Sequence, residues 1–137
     1  MVKQKRKSDC PINFALEIFG DKWSLLIIRD LMFKGKRTYG EFLLSEEKIA
    51  TNILADRLMM LEEVALIKSK MDKGNKSKYN YTLTEKGIDL VPVLLEIVKW
   101  SVKHDKNSAA PKEFVDRVKK DRKKFIQEIT RQLKQGL

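Results

Sequence analysis

Residues 21–83 run in an order that few folds accommodate: an apolar helix-length stretch, a short helix, a polar turn, a second amphipathic stretch, then two alternating strands joined by a lysine-rich tip. The first stretch opens at Asp21, an N-cap residue type, and continues through Trp23, Leu25, Leu26, Ile27, Ile28, Leu31 and Met32. It is apolar on most sides, which predicts the central core helix. Lys34-Gly35-Lys36-Arg37 reads as a turn, and Thr38 is placed to cap a short helix carrying Tyr39, Phe42 and Leu43. Glu46-Glu47-Lys48 is a polar turn, and a helix follows from about residue 50 to 63. At ~100° per residue, Leu54, Arg57, Leu58 and Leu61 share one face of it, and Thr51, Asn52, Ala55, Asp56 and Met59 share the other.

Ile67 to Met71 reads as a strand, 72–77 as a turn of the polar residues and glycine that turns favour, and Lys78 to Leu83 as the returning strand. Upstream, Pro11 suits a first helical turn, and Phe14, Ala15, Ile18 and Phe19 form a helical stripe that Gly20 ends. Downstream, Thr84 caps a long helix predicted to about residue 104 and bent at Pro92. Its apolar residues cover more than one face, so a partner subunit is their simplest cover. After a linker over 105–110, Pro111 starts a last amphipathic helix to about 134. Its stripe of Phe114, Val118, Phe125, Ile129 and Leu133 is interrupted near Asp121 and Arg122.

Helix, turn, helix and hairpin in this order are the layout of a winged helix-turn-helix. That is a mainly α fold with a small β-hairpin wing, in which one helix enters the DNA major groove and the hairpin follows the backbone. The expected organisation is a basic N-terminal arm at 1–9, a DNA-binding and dimerisation domain at 10–104, and a linker with an amphipathic C-terminal helix at 105–137.

Charge placement agrees with a polyanion partner. Of the net +10, residues 1–10 hold +3, 11–110 hold +2 and 111–137 hold +5, and 68–78 alone carry five lysines against Asp72. Clustered charge of one sign is the footprint of a polyanion-binding surface. No apolar run reaches the roughly 18–20 residues that span a membrane, and no apolar signal region follows the basic start. A cytoplasmic protein is expected.

With one cysteine, Cys10, and one histidine, His104, the chain has neither an internal disulfide nor the ligands of a zinc site. It has no glycine-rich phosphate loop, and Glu46-Glu47 and Glu62-Glu63 are neighbours that point in different directions on a helix rather than acid/base pairs. The expectation is a protein that is not an enzyme and uses no metal or cofactor.

The chain resembles the HxlR-type winged-helix transcription regulators, related in architecture to the MarR group. The residues that carry this are Cys10-Pro11-Ile12, Gly20-Asp21-Lys22-Trp23, Arg37-Thr38-Tyr39-Gly40-Glu41-Phe42, Ile49, Leu54, Leu58, Leu61-Glu62-Glu63, Tyr81-Thr82-Leu83-Thr84-Glu85-Lys86-Gly87 and Trp100. The resemblance covers about 9–104. It implies a homodimer on palindromic operator DNA, with an N-terminal cysteine that some members use to sense electrophiles or oxidants. Three places depart from the family pattern. Asn52, Ala55 and Asp56 stand where more polar or basic residues are usual. The wing carries Lys73, Lys76, Lys78 and Asn80 rather than prolines and an acid. Residues 111–137 lie beyond the usual core.

For base readout the expected residues are Thr51, Asn52, Ala55 and Asp56 on the second helix. Asn pairs bidentately with adenine, Thr and Ala meet a thymine methyl, and Asp accepts from cytosine N4. The alternative is a solvated helix face. Lys73 and Lys76 at the wing tip, with Lys36 and Arg37, are expected on DNA phosphates. Cys10 precedes a helix N-terminus, where the dipole and Lys5, Arg6 and Lys7 favour the thiolate of a sensor. The alternative is a small buried hydrophobe.

The overall expectation is a sequence-specific DNA-binding regulator, a repressor, released through Cys10 or by an unidentified small-molecule effector. The competing reading is a winged-helix protein-interaction module without specific DNA readout, prompted by Asp56 and the extra C-terminal helix. For that helix, packing of its apolar stripe on the dimer is favoured over contact with DNA or an anionic membrane surface.

Overall fold

Three helix starts in this chain are set by side chains that satisfy otherwise free backbone N–H groups. In the computed structural model, which describes residues 6–136, the order is α1 (Pro11–Phe19), α2 (Ser24–Phe33), α3 (Tyr39–Leu43), α4 (Thr51–Glu63), β1 (Ile67–Met71), β2 (Tyr79–Leu83), α5 (Glu85–Ile88), α6 (Val91–His104), α7 (Lys112–Lys120) and α8 (Arg122–Gln135). Most of the basic arm expected over 1–9 lies outside the described residues.

Before α2, the Asp21 carboxylate accepts from the N–H groups of Trp23 and Ser24 at 3.0 and 2.9 Å and from the Ser24 hydroxyl at 2.6 Å. Burial pushes this carboxyl up, but those hydrogen bonds and the charge of Arg57 outweigh it and hold it below its ordinary value. Thr38 and Glu41 form a reciprocal capping box at α3. Thr84 accepts from the Gly87 N–H at 3.1 Å to start α5.

β1 and β2 pair antiparallel, with Ile67 opposite Leu83 and Met71 opposite Tyr79. The fold is a winged helix-turn-helix: α3, its turn and α4 form the helix-turn-helix, and β1–β2 forms the wing. The core gathers around α2, where Ile28 and Leu31 meet Phe42 of α3, Leu54 and Leu61 of α4, Ile67 of β1 and Leu95 of α6.

α4 ends in a Schellman arrangement. Leu66 N–H bonds Leu61 C=O and Ala65 N–H bonds Glu62 C=O, both at 3.0 Å, with Ala65 left-handed at φ 61°. The chain then turns straight into β1. The same corner receives the end of β2: Thr84 N–H donates to Leu66 C=O at 3.1 Å, its hydroxyl donates to Ala65 C=O at 2.5 Å, and Lys86 Nζ donates to Val64 C=O at 2.7 Å.

Three expectations are corrected. The long helix from Thr84 is two helices, α5 and α6, separated at Asp89 and Leu90. Pro92 lies in the first turn of α6, where its missing N–H leaves nothing unsatisfied, so it starts a helix rather than bending one. The last helix is also two, broken at Asp121 (φ −138°, ψ 34°). Arg117 spans that joint, bonding Asp121 at 2.9 Å and Glu128 at 2.5 Å, while Arg122 bonds Glu96 and reaches the Pro92 carbonyl at 3.4 Å.

The apolar stripe of α7 and α8 packs on its own chain. Val118 and Ile129 are buried, and the Phe114 ring stands edge-on to Phe33 at 5.4 Å and to Phe125 at 5.2 Å. Among the described residues, no helix is long and apolar enough to cross a membrane, and no group of His, Cys, Asp and Glu is arranged to hold a metal ion.

The α4–β1 corner yields opposite predictions for two small residues. A Cβ on Gly87 would lie 2.2 Å from the Leu66 carbonyl oxygen, so Gly87→Ala is expected to destabilise by about 3 kcal/mol. Ala65→Gly relieves a left-handed residue and is expected to stabilise by about 1 kcal/mol. Urea unfolding of both variants beside the parent checks the two signs.

Candidate nucleic-acid interface

An amphipathic helix packed through one face leaves the other free to meet a ligand, and α4 does so. Leu54, Leu58 and Leu61 are buried while Thr51, Asn52, Ala55, Asp56 and Met59 are exposed. Thr51 and Asn52 occupy its first turn, the end that a groove-inserted helix presents to base edges. The Tyr39 hydroxyl donates to the Thr51 carbonyl at 2.9 Å and so ties α3 to that turn. Asp56 is paired with Arg57 at 2.7 Å, and Arg57 reaches back to Asp21 at 3.4 Å. Arg57, expected on the packed face, is half-buried as the link between α4 and the cap of α2.

The wing tip is ordered by its own side chains. Asp72 accepts from Gly74 N–H at 2.9 Å, and Asn75 accepts from Ser77 N–H at 3.0 Å and from its hydroxyl at 2.7 Å. Lys73, Lys76 and Lys78 are exposed there, and among the described residues none lies within ion-pair distance of a carboxylate.

Between wing and helices run two clefts that share Tyr39 and Tyr81. One, of about 370 Å³, is lined also by Ala55, Met59, Glu62 and Glu63. The other, of about 630 Å³, is lined also by Gly40, Asn75, Lys78 and Tyr79. Burial, and then the charge of Glu62, push the Tyr81 hydroxyl above its ordinary value. Tyr39, Asn75, Lys78 and Tyr79 were not singled out from the sequence as site residues. Tyr39 entered the sequence reading only as a residue of the short helix that Thr38 caps.

Lys36 and Arg37 stand differently from the wing lysines. Lys36 Nζ donates to Ser45 Oγ at 2.7 Å and lies 3.7 Å from Asp30. Arg37 Nη1 donates to the carbonyls of Leu31 at 3.0 Å and Lys36 at 2.8 Å. Both cations therefore have intramolecular partners. Cys10 is exposed at the N-cap of α1. Arg6 lies over the Phe14 ring at 5.2 Å, and Lys5 lies outside the described residues.

Sequence reading also missed a polar network behind α4. Arg29 forks onto Glu47 at 2.7 and 2.9 Å and onto Asp30 at 3.0 and 2.8 Å. The other Asp30 oxygen accepts from the Ser45 hydroxyl, and Asp30 is only 3% exposed. The available signal was a charged pair, Arg29-Asp30, inside a helix otherwise apolar on most sides.

A sequence profile described as HxlR-like helix-turn-helix matches residues 18–109. The chain belongs to this family. The HTH-type transcriptional regulator YdeP of Bacillus subtilis is 35% identical over 107 residues, spanning 75% of this chain and 83% of that protein. Among solved structures, the reduced form of the transcriptional regulator YodB from B. subtilis matches with a TM-score of 0.59 at 29% identity, covering 74% of this chain and 99% of that one. The redox regulator HypR in its oxidised form matches with a TM-score of 0.62 at 28% identity, covering 69% and 97%. As an HxlR-like protein, the chain is a DNA-binding transcription regulator with a winged helix-turn-helix, and not an enzyme.

The Arg29 fork gives this regulator an acid-sensitive contact. The Arg29 hydrogen bonds hold the Glu47 carboxyl down at about 2, against an ordinary 4.5. A folded-state value below the unfolded one stabilises above the unfolded value and loses that contribution as pH falls toward the folded value. The stability gap between the parent and Glu47→Gln is expected to be full at pH 7 and to close between about pH 4.5 and pH 2. Denaturant melts across that range measure it, and a gap independent of pH would remove the ionic role of Glu47.

Proposed function

We propose that this HxlR-like chain is a cytoplasmic repressor that binds palindromic operator DNA as a homodimer. Its reading unit is residues 10–104, buttressed by 105–137. The observation that carries the proposal is the exposed face of α4 beside a wing tip whose Lys73 and Lys76 have, among the described residues, no carboxylate within ion-pair distance. Thr51, Asn52, Ala55 and Asp56 read base edges, and the Arg57 ion pair reduces the repulsion Asp56 would exert on phosphate. Lys73 and Lys76 neutralise phosphates. Lys36 and Arg37 contribute to the backbone contacts by giving up intramolecular hydrogen bonds.

The dimer reading is supported by apolar side chains that the protomer leaves uncovered on two helices. Ile12 of α1 is 69% exposed and Trp100 of α6 is 67% exposed, with Phe14, Leu16 and Ile97 also open. Two-fold pairing would set the two α4 helices about one turn of DNA apart. Cys10, exposed at the start of α1, is the proposed site of oxidant or electrophile modification. In its support, solved structures similar to this chain include HypR as a redox regulator in oxidised and reduced forms and YodB with a bound quinone. The 370 Å³ cleft beside α4 has room for a small effector that would compete with DNA.

Genomic selection tests the reading. Recovery of one palindromic site from fragmented DNA of the source organism at ~150 mM salt, a near-physiological ionic strength, is the expected result, and uniform recovery would favour an interaction module. On that site, Lys73→Gln and Lys76→Gln are each expected to lower the slope of log affinity against log salt by about one per protomer. Diamide is expected to release the parent from DNA and to leave Cys10→Ser bound. Equal loss from both proteins would eliminate the Cys10 switch.

A further inference from the structure

The turn of the helix-turn-helix is fastened to α2 by charge as well as by the buried Ile49. Ser45 and Glu47 belong to that turn and bond Asp30 and Arg29 of α2. In the free protein Lys36 Nζ also bonds Ser45, at 2.7 Å, a contact outside the fastening set that it gives up on meeting phosphate. The apolar part of the same contact leaves a crevice between Trp23, Leu26, Phe42 and Ile49, walled on its other side by Arg29, Asp30, Ser45 and Glu47. Lys48 follows directly with a left-handed φ of 56°, a conformation that an ordinary side chain holds only when its surroundings enforce it. Three residues later α4 begins with Thr51 and Asn52.

An ionic set in which only Asp30 is fully buried is weak evidence for stability. What it supplies is direction. The guanidinium fork accepts only a coplanar carboxylate, so Arg29 fixes where Glu47 stands. The two Asp30 oxygens, one on Arg29 and one on Ser45, fix the turn in a second place.

We propose that Arg29, Asp30, Ser45 and Glu47 are positioning residues for operator recognition, holding the turn so that Thr51 and Asn52 enter the groove at one angle. This rests on the operator-binding reading above and adds what sets its specificity. Loosening the turn acts like losing one base contact, which weakens operator binding while the lysine-borne phosphate attraction is untouched.

The test uses the full chain with Glu47→Ala, an exposed position that leaves the core intact, and Ser45→Ala as a second, independent release. Each is compared with the parent for amide exchange over residues 44–50, affinity for the selected operator, affinity for a scrambled duplex of equal length, and salt slope. The expected result is faster exchange in the turn and a fall in the operator-to-scrambled ratio on the order of tenfold. Scrambled-duplex affinity and salt slope should stay as in the parent. Glu47→Gln, which keeps one hydrogen bond, should recover part of the ratio.

A merely structural role would lower both duplex affinities together with the melting midpoint, and that outcome overturns the proposal. So does an unchanged ratio with a loosened turn, or an unchanged turn. Failure of the parent to distinguish operator from scrambled duplex would show in the parent alone, and would bring down the operator reading and this inference with it.

Discussion

The carbonyl of Leu66 is the point on which the wing, the recognition helix and the C-terminal half all bear. It accepts the Thr84 N–H, and the Cα of Gly87 approaches so closely that no side chain fits between them. Because Ala65 and Leu66 also close the end of α4 through their N–H groups, this one corner fixes three relations. It sets where α4 stops, where the hairpin is rooted, and how α5 departs toward α6. A helix and a hairpin joined by so few residues have little freedom to reorient. The distance from the readout face of α4 to the wing tip is therefore a property of the fold rather than of a hinge.

The C-terminal pair stiffens the same unit from behind. α7 and α8 turn their apolar stripe onto α2 through Phe33 and onto each other through Phe114 and Phe125, and Arg122 anchors α8 to the start of α6. Their cations do not follow that stripe inward. Lys119, Lys120, Lys123, Lys124, Arg131 and Lys134 stay exposed. The excess of positive charge in this segment is thus the solvated side of an amphipathic pair.

What was legible in the sequence is what local chemistry decides. The caps at Asp21, Thr38 and Thr84 act within three residues, and the alternation of Tyr79, Tyr81 and Leu83 specified the returning strand. The buried and exposed faces of α4 follow from period alone. The break at Leu90 was not legible, since Gly87 there meets Leu66 from far along the chain, and the one at Asp121 showed only as an interrupted stripe, since Arg122 finds Glu96 and Pro92 only on folding. The same holds for the candidate site. The face carrying Thr51, Asn52, Ala55 and Asp56 was readable, but the directions of Lys36 and Arg37 were not. Their partners, Ser45 and the Leu31 carbonyl, come from elements that only folding brings near.

These directions divide labour within the interface. The α4 face carries no unbalanced cation, since Asp56 is paired with Arg57 and Glu62 and Glu63 add negative charge beyond Met59, so no long-range attraction draws it to one stretch of duplex over another. The attraction resides in the wing, where Lys73, Lys76 and Lys78 are exposed around a tip that its own hydrogen bonds hold in shape. Phosphate contacts of that kind position a protein without carrying sequence information. In the proposed reading, discrimination is then left to short-range fit at Thr51 and Asn52, and such contacts tolerate little angular error. A regulator built this way needs a rigid mount behind its recognition helix more than it needs further charge on it. The Arg57–Asp21 pair on one side of α4 and the Tyr39–Thr51 hydrogen bond on the other provide that mount.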